Sequence, residues 1–391
     1  MDFDLSEEQR SLGELARGIF EREVTKERLR ELEASGECVD DRLWAKLAEA
    51  NLLGLAVPEA HGGMGFGLLE LCVLLQEVGR ALAPVPVLPA LVLAGLPLAR
   101  FGTDAQRRAW LAPLAAGEAM LSAAIADPAG SVRARREGSG WVLDGAKRLV
   151  SAAGRTRRIL VPASTADGAG IFLLDPGAAG VSLEGSRTRV RGPLFALRLA
   201  GVRVAEADLL GGDAAGGERA LRWIRDCALA AVASTQVGVS ERALEITAGH
   251  LRERVQFGAP IGSFPAVQQR AADCWIDLAA MRWTAWRAAW RIAEGLPAGR
   301  ETLVAKVWAA EGGSRIANAA QHLHGGLGVD VDYPIHRYFL WSKSLELELG
   351  GAAPLLAELG RDMAASGPAE IAGPASIPGA PAGARSGEAR A

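Results

Sequence analysis

The sequence predicts a mainly α chain with a middle β domain. Three observations carry this: helical periodicity from Ser6 to about Gly117, short β-branched runs between about Met120 and Gly212, and long helical patterns again from about Gly217. With 391 residues the chain can bury a large core and divide into several domains.

In the first part, LSEEQRSLGELARGIFEREV and DDRLWAKLAEANLLG space apolar residues three and four apart, with Ser6 and Asp40 or Asp41 placed as N-caps. VPEAHGGMGFGLLELCVLLQEVGRALAP then joins a glycine-rich turn to a nearly all-apolar helix, which must be buried. In the middle part, SGWVLDGAKRLVSA, RRILVPAS, GIFLLDP, GVSLEG and FALRLAGVRV are strands separated by Gly, Pro and Asp turns. Arginines cluster there, as Arg133, Arg135, Arg136, then Arg155, Arg157, Arg158, then Arg187, Arg189, Arg191. Alternate arginines share one strand face, so a solvated or subunit-facing surface is the plain reading and a phosphate contact the sharper one.

From Gly217 onward four long helical patterns suit an antiparallel bundle, the last being PIHRYFLWSKSLELEL. Trp275, Trp283, Trp286 and Trp290 recur at roughly helical spacing, which reads as packing between helices. The final stretch is Pro, Gly, Ala and Ser with almost no large apolar residue, too little to offset its ordering entropy. The expected domains are an N-terminal helical domain 1–118, a middle β domain 119–212, a C-terminal four-helix bundle 213–365 and a flexible tail 366–391.

Composition narrows the function classes. A net charge of −3 and a pI near 6.1 give no case for nucleic acid or an anionic membrane surface. No apolar run is long enough to span a bilayer, and the acidic opening MDFDLSEEQ has no signal core, so a cytoplasmic protein is expected. Cys38, Cys72, Cys227 and Cys274 are widely spaced without a CxxC pair, which suggests small core residues rather than disulfides or a metal site.

The order helices, small β domain, helical bundle carries motifs at several points: MDFDLSEEQ, VPEAHGGMGFGLLEL, DGAKRLVS, RVQFGAPIGSF and QHLHGGLGVDVDYPIHRYF. Together these resemble the flavin-dependent acyl-CoA dehydrogenase family along nearly the whole ordered length. The resemblance implies FAD, an acyl-CoA substrate and removal of hydrogens from the carbons α and β to the thioester. That chemistry needs a carboxylate to take the α proton and a flavin to accept the β hydride. It also implies that each FAD lies at a subunit interface, clamped by groups from two chains.

The half a chain offers to its neighbour's FAD is present in the resemblance. Arg254, Gln256 and Phe257 match the family's Arg-x-x-Phe-Gly, with the arginine on the pyrophosphate and the ring near the adenine. Gly325 and Gly326 match the turn that lets backbone approach the nucleotide. His322 stands where many relatives carry Gln, as a cofactor contact or a helix cap. Pro265 replaces a common Gln after Phe264.

The half a chain offers to its own FAD departs from the pattern. Ala126 to Val132 replaces an acid- and hydroxyl-bearing loop, Leu149, Val150 and Ser151 replace Trp-Ile-Thr, and Leu349 to Ala352 replace Glu-Gly-Thr-Ser. Counting from Gly325-Gly326, the family's catalytic glutamate falls on Leu349, and the alternative base position of some relatives falls on Ala228, followed by Leu229. One residue on the helix turns the side chain by about 100°, so Glu348 should not point where the base must. Glu346 and Asp226 are the other nearby acids, and Asp226 reads as a solvated or salt-bridged one.

The first expectation is therefore a non-catalytic subunit of a hetero-oligomer, paired with a homologous catalytic subunit that binds most of the acyl-CoA, on the pattern of actinobacterial enzymes acting on steroid side chains. An active homo-oligomer using Asp226 or Glu348 is the second, and a flavin-free scaffold on this fold the third.

Overall fold

Each of the first three helices begins where a side chain takes up backbone donors of its first turn. The computed structural model describes residues 4–36, 39–186, 190–214 and 216–366, so Cys38, Arg187, Arg189 and the expected tail past residue 366 lie outside it. Ser6 and Gln9 form a reciprocal capping box on α1 (Glu7–Glu23). Thr25 caps α2 (Lys26–Ser35), and Asp40 rather than Asp41 caps α3 (Asp41–Glu49). The apolar α4 (Leu68–Ala81) is buried as expected, and its one buried acid, Glu77, is held by two bonds from Arg17 of α1 at 2.7 and 3.0 Å. A π-wound segment, Leu88–Gly95, carries Pro89, leads into Pro97 and runs on as α5 (Leu96–Phe101). Prolines lack the N–H a regular helix needs, which fits the irregular winding here. Helix α6 (Asp104–Ala115) completes this part.

The middle part is one mixed seven-stranded sheet. Its strands are β1 (Leu121–Ala123), β2 (Val132–Glu137), β3 (Gly140–Ser151), β4 (Arg158–Thr165), β5 (Gly168–Leu174), β6 (Val181–Gly185) and β7 (Leu194–Ala205). They run in the order β1-β4-β2-β3-β7-β6, with β5 also paired to β4. The sheet builds a core of its own from Val132, Leu143, Val161, Phe172 and Leu197. On β2, Val132 and Ala134 point inward while Arg133 and Arg135 are exposed, so the alternation reads as a solvated face. Several of these arginines are ion-paired: Arg135 with Glu137, Arg136 with Glu206, Arg158 with Asp175.

The last part contains α7 (Gly217–Glu253), a tight hairpin of β8 (Val255–Gln256) and β9 (Ala259–Pro260), α8 (Pro265–Ala293), α9 (Gly299–His324) and α10 (Ile335–Leu347). A further helix not read in the sequence, α11 (Ala352–Ser366), buries Leu355 against Leu229 and Leu303. Helices α4 and α7 touch backbone to backbone. A Cβ on Gly238 would lie 1.8 Å from the Gln76 carbonyl oxygen, and one on Gly79 would lie 2.1 Å from that of Thr235.

The tryptophans of α8 divide. Trp286 packs against the core, whereas Trp275 and Trp283 are 61% and 46% exposed on this single chain, so packing within the chain accounts for only part of the row. Cys72, Cys227 and Cys274 are buried free thiols. Among the described residues no helix is long and apolar enough to cross a membrane, and no cluster of His, Cys, Asp or Glu could hold a metal ion.

Candidate functional site

Two places on the chain combine the residues singled out by the sequence, and they lie at different points along α7.

The first is a cavity of about 360 Å³ bounded by α4, the π-wound segment, β1, the end of β3, the turn before β7, the middle of α7 and the end of α10. Its walls are mostly apolar, from Leu75, Val78, Leu88, Leu93 and Leu194. Leu349 lines it, and so does Glu348, which corrects the helical expectation for that acid. Helix α10 stops at Leu347; Glu348 is extended and Leu349 is left-handed at φ 58°, so the 100° turn per residue no longer applies. Glu348 is the only carboxylate among the described lining residues, and it is not free. Arg191 reaches in from the turn before β7, pairs with it, and lies 5.3 Å from the centre of the Trp341 ring. Thus Arg191 departs from the solvated reading of the arginine groups.

Two buried lysines hold the loops on either side. Lys147 donates to the carbonyls of Asp127 (3.3 Å) and Pro128 (2.6 Å), fixing the short 126–132 loop, while Asp127 is bound in turn by the Arg148 guanidinium. Lys306 on α9 donates to the carbonyls of Glu346 and Gly350, both at 3.0 Å, fixing the turn that carries Leu349. Burial pulls both ammonium groups down from 10.5 to about 8. Replacing Lys306→Met should destabilise the chain by roughly 1–3 kcal/mol for each carbonyl left without a donor, read from denaturant unfolding. Because the folded-state pKa is depressed, the unfolded chain binds more protons between pH 8 and 10.5, so Lys306 contributes a rise in stability with pH there. Subtracting the variant's pH profile from the wild-type profile should expose that rise.

The remaining acids lie elsewhere. Asp226 accepts from the Thr302 hydroxyl at 3.1 Å, is half-buried with its carboxyl pushed up by desolvation, and does not line the cavity. Glu346 pairs with Lys343, and Ala228 and Leu229 are fully buried apolar residues.

The second place is the turn after α7. Arg254 caps the helix with an exposed side chain, and Gln256 follows it, also exposed. Phe257 is 94% exposed and left-handed at φ 53°, with an edge contact to Phe264 at 6.3 Å. The Gly325-Gly326 turn is tied to it by His250 of α7 and His324 of α9, whose rings stack at 4.4 Å. His322 is exposed and makes no capping bond with its side chain among the described hydrogen bonds. His324 is buried, its Nδ1 is bonded to the Ala320 carbonyl at 2.7 Å, and its Nε2 has no hydrogen-bond partner among the described residues. Burial lowers the pKa of both stacked histidines, with mutual repulsion adding to it at His250. Folding therefore favours their neutral forms, and stability falls as pH drops below the ordinary histidine value of 6.5. Thermal midpoints between about pH 7 and 5 should decline less steeply in His324→Phe than in wild type.

The profile described as "Acyl-CoA dehydrogenase, N-terminal domain" matches residues 6–118, and "Acyl-CoA dehydrogenase, C-terminal domain" matches residues 226–363. The acyl-CoA dehydrogenase FadE27 of Mycobacterium tuberculosis is 40% identical over 375 residues, covering 93% of this chain and 99% of that protein. The chain belongs to the acyl-CoA dehydrogenase family. A structure of the ChsE4-ChsE5 complex from Mycobacterium tuberculosis contains a chain 40% identical to this acyl-CoA dehydrogenase, at a TM-score of 0.89, covering 93% of this chain and 99% of that one. A structure of a Tcur3481-Tcur3483 steroid ACAD variant contains one 44% identical, at 0.85, covering 92% and 98%.

FAD is the cofactor of the acyl-CoA dehydrogenase family. The Arg254 turn fits one edge of such a group: an exposed guanidinium, an exposed ring, and at Gly326 no atom within 4 Å of where a Cβ would stand, so backbone is open to approach from outside. The cavity fits the flavin face poorly, because Arg191 and Glu348 fill its polar end. In the sequence Arg191 is named only within a group read as solvated, subunit-facing or phosphate-binding, and Lys147, Lys306, His250 and His324 go unremarked. Only Lys306 carries a local signal, a single charge in the apolar run LVAKVWAA.

Proposed function

We propose that this chain is the non-catalytic subunit of a hetero-oligomeric, FAD-dependent acyl-CoA dehydrogenase. Its homologous partner holds most of the FAD and acyl-CoA and supplies the base. This chain contributes Arg254, Gln256, Phe257, His322 and the Gly325-Gly326 turn to the shared FAD. Bound FAD supplies the hydride acceptor for α,β-dehydrogenation. Arg254 offsets pyrophosphate charge, Phe257 covers the adenine, and the glycine turn admits the nucleotide to backbone contact.

The observation that carries the reading is a contrast. The ring and arginine of one half project into solvent, while the cavity of the other half presents Leu349 and a single acid already bound to an arginine. An exposed phenylalanine in a left-handed turn is costly for an isolated chain and useful at an interface. The relative FadE27 supports the family of the partner, and the similar steroid ACAD favours a bulky steroid-type acyl group.

The test is co-expression with a homologous subunit that carries the glutamate, followed by flavin stoichiometry. One FAD per pair of unlike chains is expected, and no dye reduction by this chain alone with acyl-CoA. A yellow, active preparation of this chain alone would overturn the reading and favour the active homo-oligomer. Failure to form any complex, with no flavin in either preparation, would leave a flavin-free scaffold.

A further inference from the structure

The cavity keeps the features of a working ligand site although the one carboxylate among its described lining residues is already paired with Arg191. At about 360 Å³ it falls within the roughly 300–1,000 Å³ usual for small-molecule pockets, with apolar walls and one polar end. Four of its lining residues, Leu149, Ala152, Arg191 and Leu349, are non-glycine residues held at φ 57–58°. Such strain persists where the surroundings over-determine it and concentrates at ligand sites. The π-wound segment supplies Leu88, Pro89 and Leu93 to the wall, another irregularity of the kind found at functional sites.

The polar end defines the chemistry. Arg191 and Glu348 have side chains only 17% and 24% exposed, and as a pair they carry no net charge. An anion entering would meet Glu348 and a cation would meet Arg191, each at a desolvation cost. A neutral oxygen suits both, since a carbonyl accepts from the guanidinium N–H groups not taken by Glu348 and a hydroxyl can also donate to the carboxylate. Arg191 is also the only cation among the described lining residues, so the cavity offers no free charge to a pyrophosphate tail. Its rim is apolar, with Leu149 and Leu347 exposed by 61% and 71%.

We infer that this cavity binds a neutral, rigid polycyclic alcohol or ketone without CoA, oriented by Arg191 and Glu348. The inference rests on the non-catalytic reading above, because a chain using its own flavin would need this space for the reaction. A rigid skeleton suits walls with so few polar anchors, since it loses little conformational freedom on binding.

Equilibrium dialysis of the co-expressed complex with tritiated testosterone tests it. Saturable binding at one site per copy of this chain is expected, with testosterone sulfate at least about tenfold weaker because of its charge. Arg191→Met should weaken testosterone by about tenfold, and Leu349→Trp, which fills the cavity, should abolish binding. Absence of saturable binding, equal binding of the sulfate, or binding that survives both substitutions would overturn the inference. The wild-type comparison of the two steroids decides the matter even if a variant fails to fold. Flavin is counted in the same samples: one FAD per unlike pair without steroid binding overturns this inference alone, whereas one FAD per chain overturns the functional reading beneath it.

Discussion

Gly238→Ala, in the middle of the long α7 helix, should lower stability by about 3 kcal/mol or more. The new Cβ would stand 1.8 Å from the Gln76 carbonyl oxygen, 2.8 Å from its carbon and 2.9 Å from the Arg80 nitrogen, all backbone atoms of α4. A flexible side chain could swing aside, but a helix backbone must move as a unit, and Gly79 makes the reciprocal approach to Thr235. Ordinary overpacking costs about 1–3 kcal/mol, and this contact should reach or exceed the upper end. Gly249→Ala on the same helix is the control, since nothing lies within 4 Å of its Cβ. It should be neutral or stabilise by roughly 0.5–1 kcal/mol through helix propensity. Urea midpoints of the two variants give the comparison, and similar values would show that α4 and α7 do not pack this closely.

Arg254→Ala should weaken FAD binding by the complex on the order of ten- to a hundredfold, because a hydrogen bond to a charged group contributes about 1.5–3 kcal/mol. Phe257→Ala should lower flavin retention with little change in the folding of this chain, since its 94% exposed ring contributes almost nothing to the core. Flavin absorbance after gel filtration reads both effects. Unchanged retention in both variants would remove this turn from the cofactor site.

The alternation of helical, strand and helical texture was readable because hydrophobic periodicity reports which face of an element is buried, as on α1, α3 and β2, and a nearly unbroken apolar run reports a buried helix, as on α4. Ser6 and Asp40 as caps follow from local chemistry alone. The Arg254 and Gly325-Gly326 motifs were visible as strings, but not the His250-His324 stack that brings their turns together, which joins residues far apart in sequence. The orientation of Glu348 was misread because the helix was carried past its end. Lys306 binds the Glu346 and Gly350 carbonyls there, and a left-handed Leu349 cannot be recognised from a string that contains glycine only at the next position. Arg191 looked like one more surface arginine, since its partner lies just past a helix beyond the β domain.

The length of α7 has a genetic consequence. Thr235, in the cavity wall, and Arg254, at the helix end, are separated by about 28 Å of helix at roughly 1.5 Å per residue. Groups so far apart share no partners, and their substitutions should combine additively, as Arg191→Met with Arg254→Ala would show. A change in the gene at one place thus leaves the partners of the other untouched, so the cavity and the helix end can be altered one at a time.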